Sequence, residues 1–159
     1  MRKLHVSVGF VLGMAAGTAF AAEEAFDACL VFTQADAEKA LGSAASPEPV
    51  NPKVKRPKVV TSCAYHGFKE SKPVEARAQF KSARTDAEAQ HAFDDAKLKL
   101  ATKPLLIPGT DSSFWSAKTG EMNVRKGRHW LVVTVGSPRA SEREMEPSRQ
   151  LAQALAQKL

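Results

Sequence analysis

The feature that most constrains the fold is a pair of cysteines, Cys29 and Cys63, in a chain that begins with an export leader. Exported proteins mature in oxidising compartments, where two lone cysteines usually form a disulfide. The functional alternative is a redox-active pair, but such pairs generally lie as Cys-x-x-Cys at the start of a helix. Because these cysteines lie far apart in the sequence, we predict a structural disulfide that stabilises the fold by roughly 3 to 4 kcal/mol.

The leader comprises residues 1–21. Arg2 and Lys3 supply a positive start, the apolar segment 6–16 follows, and Ala19-Phe20-Ala21 is a small-x-small site of the kind that signal peptidase cleaves. The apolar segment is too short to cross a bilayer, which takes about 20 residues. Residues 26–28, Phe-Asp-Ala, do not form the motif that precedes a lipid-modified cysteine. We therefore predict cleavage after Ala21, no transmembrane anchor, and a soluble protein in the periplasm or secreted.

Removal of the leader leaves residues 22–159, a length that suits a single domain with one hydrophobic core. The net charge falls from +6 to +4, because Arg2 and Lys3 are removed and no acidic residue is. A modestly basic protein can contact polyanions without requiring them. Nucleic acid is not an expected partner, since no aromatic side chains interleave with the basic residues to stack on bases.

Helix and strand signals follow one another along the mature chain. Helices are predicted to begin at the caps Thr33 and Thr85 and at Pro147, and the first helix to end at Gly42. Four prolines between residues 46 and 57 exclude a helix interior or a central strand there and indicate a surface loop. The predicted strands, which show alternation or flanking turn signals, are 58–68, 74–81, 114–117, 121–125 and 128–135.

The predicted order is therefore helix, two strands, helix, three strands, helix. Short connections between consecutive strands favour antiparallel pairing. We expect an α+β fold in which an antiparallel sheet of about five strands carries the helices on one face, as a two-layer sandwich.

The sequence contains no arrangement typical of catalysis or of a bound cofactor. It lacks the Gly-x-Ser-x-Gly elbow, the His-Glu-x-x-His zinc motif and a phosphate-binding glycine loop. His66, His91 and His129 lie on three different predicted elements, and isolated histidines are more often polar surface residues than metal ligands. We expect a protein that is not an enzyme and that uses neither a metal nor a cofactor.

Basic residues are most concentrated in the proline-rich loop. They are Lys53, Lys55, Arg56 and Lys58. Such a cluster suits lipid phosphates, anionic glycans or an acidic protein, because each exposed cation near an anionic surface contributes on the order of 1 kcal/mol. The alternative is that these charges keep an exported loop soluble. A second cluster, residues 125–128, lies at the predicted turn between the last two strands.

Residues 108–115, Pro-Gly-Thr-Asp-Ser-Ser-Phe-Trp, form the most distinctive local string. Hydroxyl and backbone donors near Asp111, with Trp115 available for stacking, are typical of the lip of a sugar or peptide site. The structural alternative is that Asp111 or Ser112 caps a turn while an aromatic side chain fills the sheet.

Several short motifs occur in a fixed order along the chain: Cys29-Leu30-Val31-Phe32-Thr33, Ala40-Leu41-Gly42, Cys63-Ala64-Tyr65, Pro108 to Trp115, and Val124-Arg125-Lys126-Gly127. This pattern resembles a family of small exported bacterial envelope domains of unknown function, many of which are lipoproteins. The resemblance covers most of the mature chain. It implies an α+β fold and a disulfide between the matching cysteines, but no activity and no catalytic residues. This chain departs from the lipoprotein members because it lacks an acylated cysteine.

These observations favour a non-enzymatic interaction module that binds an envelope protein, a cell-wall component or a lipid. Its surface would be the basic loop or the wet strand face formed by Glu75, Arg77, Gln79 and Lys81. The alternative is a periplasmic small-ligand carrier whose pocket lies near Trp115, with Trp130 as a second wall. The sequence leaves the oligomeric state open.

Overall fold

The computed structural model describes residues 27–49, 60–100 and 102–159. The predicted leader and the four basic residues of the proline-rich loop, Lys53, Lys55, Arg56 and Lys58, lie outside these ranges. The elements in chain order are α1 (Ala28–Val31), α2 (Gln34–Leu41), β1 (Val60–Lys69), β2 (Lys72–Ser82), α3 (Asp86–Lys99), β3 (Thr102–Pro104), β4 (Ser112–Ser116), β5 (Glu121–Lys126), β6 (His129–Gly136), a 3-10 turn (Ala140–Glu142) and α4 (Met145–Ala156).

The strands form one antiparallel sheet in the order β1-β2-β6-β5-β4-β3. The predicted α+β class with an antiparallel sheet is confirmed, although the sheet has six strands and not about five. The additional strand is β3, which pairs with β4 in a segment where no strand was predicted. Pro104 has no backbone N–H to donate, but β3 is an edge strand, where a missing donor leaves no ladder bond unmade.

Helix α2 follows its sequence signals closely. Thr33 and Asp36 form a reciprocal capping box, and Gly42 ends the helix with a φ of 65°, in the left-handed region that glycine adopts readily. The Thr85 hydroxyl likewise accepts a hydrogen bond from Glu88 N at the start of α3. Helix α4 begins at Met145, two residues before the predicted start, because the N–H groups of a first turn have no partner and Pro147 therefore costs no hydrogen bond there.

Helices α1, α2 and α4 pack on one face of the sheet, which we call the core face. Alternate residues of the central strands point into this layer, among them Phe80, Met122 and Val133. Leu155 of α4 and Phe32 beside α1 are fully buried in the same cluster. These contacts make a continuous hydrophobic layer between the sheet and the three helices.

Helix α3 packs on the opposite face, which differs from the one-sided arrangement expected from the sequence. The ring centroid of Phe93 lies 5.0 Å from that of Phe114 and 5.7 Å from that of Trp130. Strands β4 and β6 carry large apolar residues on both sides, so their apolar side chains on the side away from the core face must also be buried. The helix therefore covers the β4–β6 half of this face.

Cys29 and Cys63 form the predicted disulfide, which joins α1 to β1 with a Cα to Cα distance of 5.2 Å. Beside it, the rings of Phe32 and Tyr65 meet edge to face at 5.1 Å. The Tyr65 hydroxyl donates to the carbonyl of Phe32 over 3.2 Å. A covalent bond, an aromatic contact and a hydrogen bond thus hold the start of the domain against the sheet.

The aromatic cluster under α3 gives a first prediction. Phe93→Ala removes a fully buried ring, so we expect the free energy of unfolding in urea to fall by about 3 to 5 kcal/mol. Leu98→Ala on the same helix is the matched control, because Leu98 is 85% exposed and its loss should change stability by less than about 0.5 kcal/mol. Equal effects of the two substitutions would contradict the packing of α3 on this face.

The disulfide gives a second prediction. It closes a loop between positions 34 residues apart, so Cys29→Ser with Cys63→Ser should lower the free energy of unfolding by roughly 3 to 4 kcal/mol. Wild-type protein measured in a strong thiol reductant should show the same loss, because both treatments release the same loop. A wild type that is insensitive to the reductant would argue against this stabilising role.

Candidate functional site

The face opposite the core face is covered by α3 only in part. The side chains that lie beyond that helix on this face, which we call the open face, are Ser62, Ala64 and His66 of β1, Glu75, Arg77, Gln79 and Lys81 of β2, and Val132 and Thr134 of β6. The principal contacts of α3 are with β5 and β6, on the other half of the sheet from β1 and β2.

The open face results from the strict alternation of β2. Val74, Ala76 and Phe80 are buried in the core face, so the residues between them must point to the other side. The alternation predicted from the sequence is confirmed. The same alternation on β1 places Cys63 and Tyr65 in the core and His66 on the open face.

An ion pair occupies the middle of the open face. The Glu75 carboxylate accepts two hydrogen bonds from Arg77, 2.9 Å from Nε and 3.1 Å from Nη2. His66 Nδ1 lies 3.6 Å from the same carboxylate. The Glu75 side chain is 10% exposed and that of Arg77 is 54% exposed. A largely buried carboxylate thus holds a guanidinium whose outer edge faces solvent.

Lys81 lies where the open face meets α3. Its ammonium is 3.6 Å from the ring centroid of Trp130, a cation–π contact. Burial against this ring lowers the pKa of Lys81, while the charge of Glu121 acts in the opposite direction. Trp130 in turn donates its indole N–H to the Asn123 side chain over 3.0 Å, so both ends of the contact are fixed.

The open face contains a small depression. The depression has a volume of about 120 Å³ and is lined by Arg77, Gln79, Glu121, Val132, Thr134 and Arg143. Pockets that enclose drug-sized ligands measure roughly 300 to 1,000 Å³. The depression therefore suits one inserted side chain better than a whole small molecule.

Both halves of the 108–115 segment make contacts that stabilise the fold. Trp115 is 9% exposed and packs in the hydrophobic cluster of the core face. The Asp111 carboxylate accepts a hydrogen bond from Gly127 N over 2.7 Å and lies 3.2 Å from the Arg125 guanidinium. Asp111 thereby closes the turn between β5 and β6, a contact across 16 residues that the sequence pattern did not reveal.

The second basic cluster is also engaged in intramolecular contacts. Arg125 donates to the carbonyl of Gly127 and pairs with Asp111, and Lys126 donates to the carbonyl of Ala156 at the end of α4 over 2.9 Å. These cations stabilise the β5–β6 turn and its junction with the helix.

The histidines are dispersed, as their sequence positions indicated. His91 lies near Asp95 on α3 and His129 contacts the Ser82 hydroxyl, while His66 is on the open face. Within the described ranges no three His, Cys, Asp or Glu side chains converge as a metal site would require. No described helix is long and apolar enough to span a bilayer.

Comparisons with protein-family models, with curated proteins and with solved structures found no match. The resemblance to exported envelope domains therefore stays a prediction.

The ion pair of the open face can be tested by a double-mutant cycle. Arg77→Met leaves the largely buried Glu75 carboxylate without its main partner, so unfolding free energy at neutral pH should fall by about 1 to 2 kcal/mol. Solvent at the half-exposed guanidinium keeps the effect modest. Glu75→Gln combined with Arg77→Met should recover most of the loss, because no unpaired charge remains. A double variant less stable than Arg77→Met alone would contradict this account.

Proposed function

We propose that this protein is a non-enzymatic interaction module of the bacterial envelope, exported by cleavage after Ala21, and that it binds a partner protein through the open face. The observation that carries this proposal is the polar, mixed-charge surface on β1 and β2, which lies beyond the main contacts of α3 with β5 and β6.

The chemistry of the open face matches a protein surface. Anionic, cationic and neutral polar side chains follow one another on this side of β2, so the open face suits a polar partner surface. Arg77 projects a free edge toward solvent, and Phe68, at the end of β1, is 71% exposed. Arginine and aromatic side chains are enriched among the residues that dominate binding energy in interfaces.

The disulfide supports the exported location, because cysteines of cytosolic proteins generally remain reduced. The small-ligand carrier has less support. Trp115 is packed in the core, and Trp130 is held between Phe93, Lys81 and Asn123. Neither ring is presented to a bound molecule in this arrangement.

The test uses two variants matched in charge. The open-face variant carries Ser62→Arg and Arg77→Glu. The control carries Gln90→Arg and Arg84→Glu, which change the charge by the same amount at two exposed positions on α3 and just before it. Each mature variant is used to capture and quantify partners from an envelope extract of its host. Recovery of the specific partner should fall about tenfold or more with the open-face variant, because about 1.4 kcal/mol is lost, and stay unchanged with the control.

Melting temperatures establish that both variants are folded. Ser62→Arg alone serves as a second open-face variant, because it breaks no hydrogen bond found in the structure yet places a long side chain in the interface. Equal recovery of the partner by all variants, or the absence of any partner above the level of empty resin, would contradict the proposal.

A further inference from the structure

A second concave region lies at the end of the sheet, between the tip of the β1–β2 hairpin and residues 137–144. We call it the hairpin cleft. Its volume is about 610 Å³, within the range of small-ligand sites, and it shares no residue with the open face. It is lined by Lys69, Glu70, Lys72, Pro73, Val74, Ser137, Pro138, Arg139, Glu142 and Glu144.

The hairpin wall of the cleft is held in an unusual backbone conformation. Glu70 and Ser71 have φ values of 50° and 65°, and neither is glycine. Two left-handed residues in succession match the twist of a tight hairpin, but non-glycine residues adopt that region at a cost in free energy. The turn thereby fixes the position of Glu70 at the edge of the cleft.

The other wall is fastened to the sheet. Glu144 N donates to the carbonyl of Val135 over 2.8 Å, and Gly136 forms a β-bridge with Arg143. The Arg143 guanidinium donates to the carbonyls of Thr119 and Pro138, at 2.7 and 3.3 Å. Both walls are therefore set before any ligand arrives, which reduces the ordering cost of binding.

The charges of the cleft balance. The cations are Lys69, Lys72 and Arg139, and the carboxylates are Glu70, Glu142 and Glu144. Lys69 reaches across the cleft to within 3.7 Å of Glu144, and Arg139 lies 3.3 Å from Glu142 on one wall. Hydrogen bonds from Ser137 and Arg139, with the charge of Lys72, lower the pKa of Glu142, so this carboxylate is ionised at neutral pH.

These ion pairs are exposed, and an exposed pair contributes little to stability. Arg139, for example, is 81% exposed at its side chain. A ligand that carries both a cationic and an anionic group can replace the contacts of such a pair at little cost in free energy. A simple anion or a simple cation, in contrast, gains one contact and meets like charges on the same walls.

We propose that the hairpin cleft binds a small zwitterion that carries an ammonium and a carboxylate, as free amino acids and short peptides do. The carboxylate contacts Lys72 and Arg139, and the ammonium contacts Glu70 and Glu142. The apolar surfaces of Pro73, Val74 and Pro138 provide space for a small side chain.

The probe is the dipeptide alanylalanine, compared with its N-acetyl form, which lacks the ammonium, and its C-terminal amide, which lacks the carboxylate. Backbone amide shifts of the isotope-labelled mature protein report binding at Glu70, Ser71, Ser137 and Arg139. We expect saturable shifts with a dissociation constant on the order of 1 mM for the zwitterion, and at least roughly tenfold weaker binding of both blocked forms.

A matched pair of variants locates the site. Arg139→Gln with Glu142→Gln removes one ion pair of the cleft without changing the net charge, and should weaken binding about tenfold. Glu146→Gln with Arg149→Gln removes a pair of the same spacing from α4 and should leave binding unchanged. Equal binding of the three dipeptides, no saturable shift, or the same affinity in both variants would overturn the proposal. None of these results depends on the open face, so the two proposals can fail separately.

Discussion

The two-sided burial of β6 is the constraint from which the rest of the architecture follows. Leu131 and Val133 enter the core face under α4, while Trp130 on the other side packs against Phe93 of α3. A strand that is apolar on both sides must be covered on both sides, whereas β2, which alternates strictly, needs only one cover. The sheet is thereby divided into a half between two helical layers and a half with one polar surface, and that surface is the open face.

The disulfide stabilises two elements at the edge of this sheet, α1 and β1. Helix α1 has four residues, too few to be stable alone, and β1 has a strand partner on one side. The Cys29–Cys63 bond stabilises both elements, because it joins them covalently and positions Phe32 against Tyr65. Beyond that bond, Ser46 N donates to the carbonyl of His66 and covers part of the β1 edge. Exposed edges invite pairing with other chains, and this contact shortens the part of the β1 edge that is open to such pairing.

Features encoded by neighbouring residues were predictable, and features encoded by distant contacts were not. The Thr33–Asp36 capping box and the alternation of β2 are local, and both are confirmed. The cap at Thr85 predicted the helix α3 but could not reveal which side of the sheet the helix covers, because a local signal carries no information about the packing partner. The role of Asp111 depends on Gly127, and one edge of the hairpin cleft depends on Lys69 and Glu144, residues that only the folded chain brings together.

The two candidate sites differ in chemistry because their ion pairs differ in burial. On the open face the Glu75 carboxylate is largely buried, so its pair with Arg77 is a fixed element that holds the half-exposed Arg77 side chain in one orientation. In the hairpin cleft the Arg139–Glu142 pair is solvated at both ends and contributes little to stability, so a ligand can exchange with it. A fixed pair favours recognition of a preformed protein surface, whereas an exchangeable pair favours a small molecule that carries its own charges. Burial of the carboxylate, more than the presence of an ion pair, therefore determines which kind of partner each site suits.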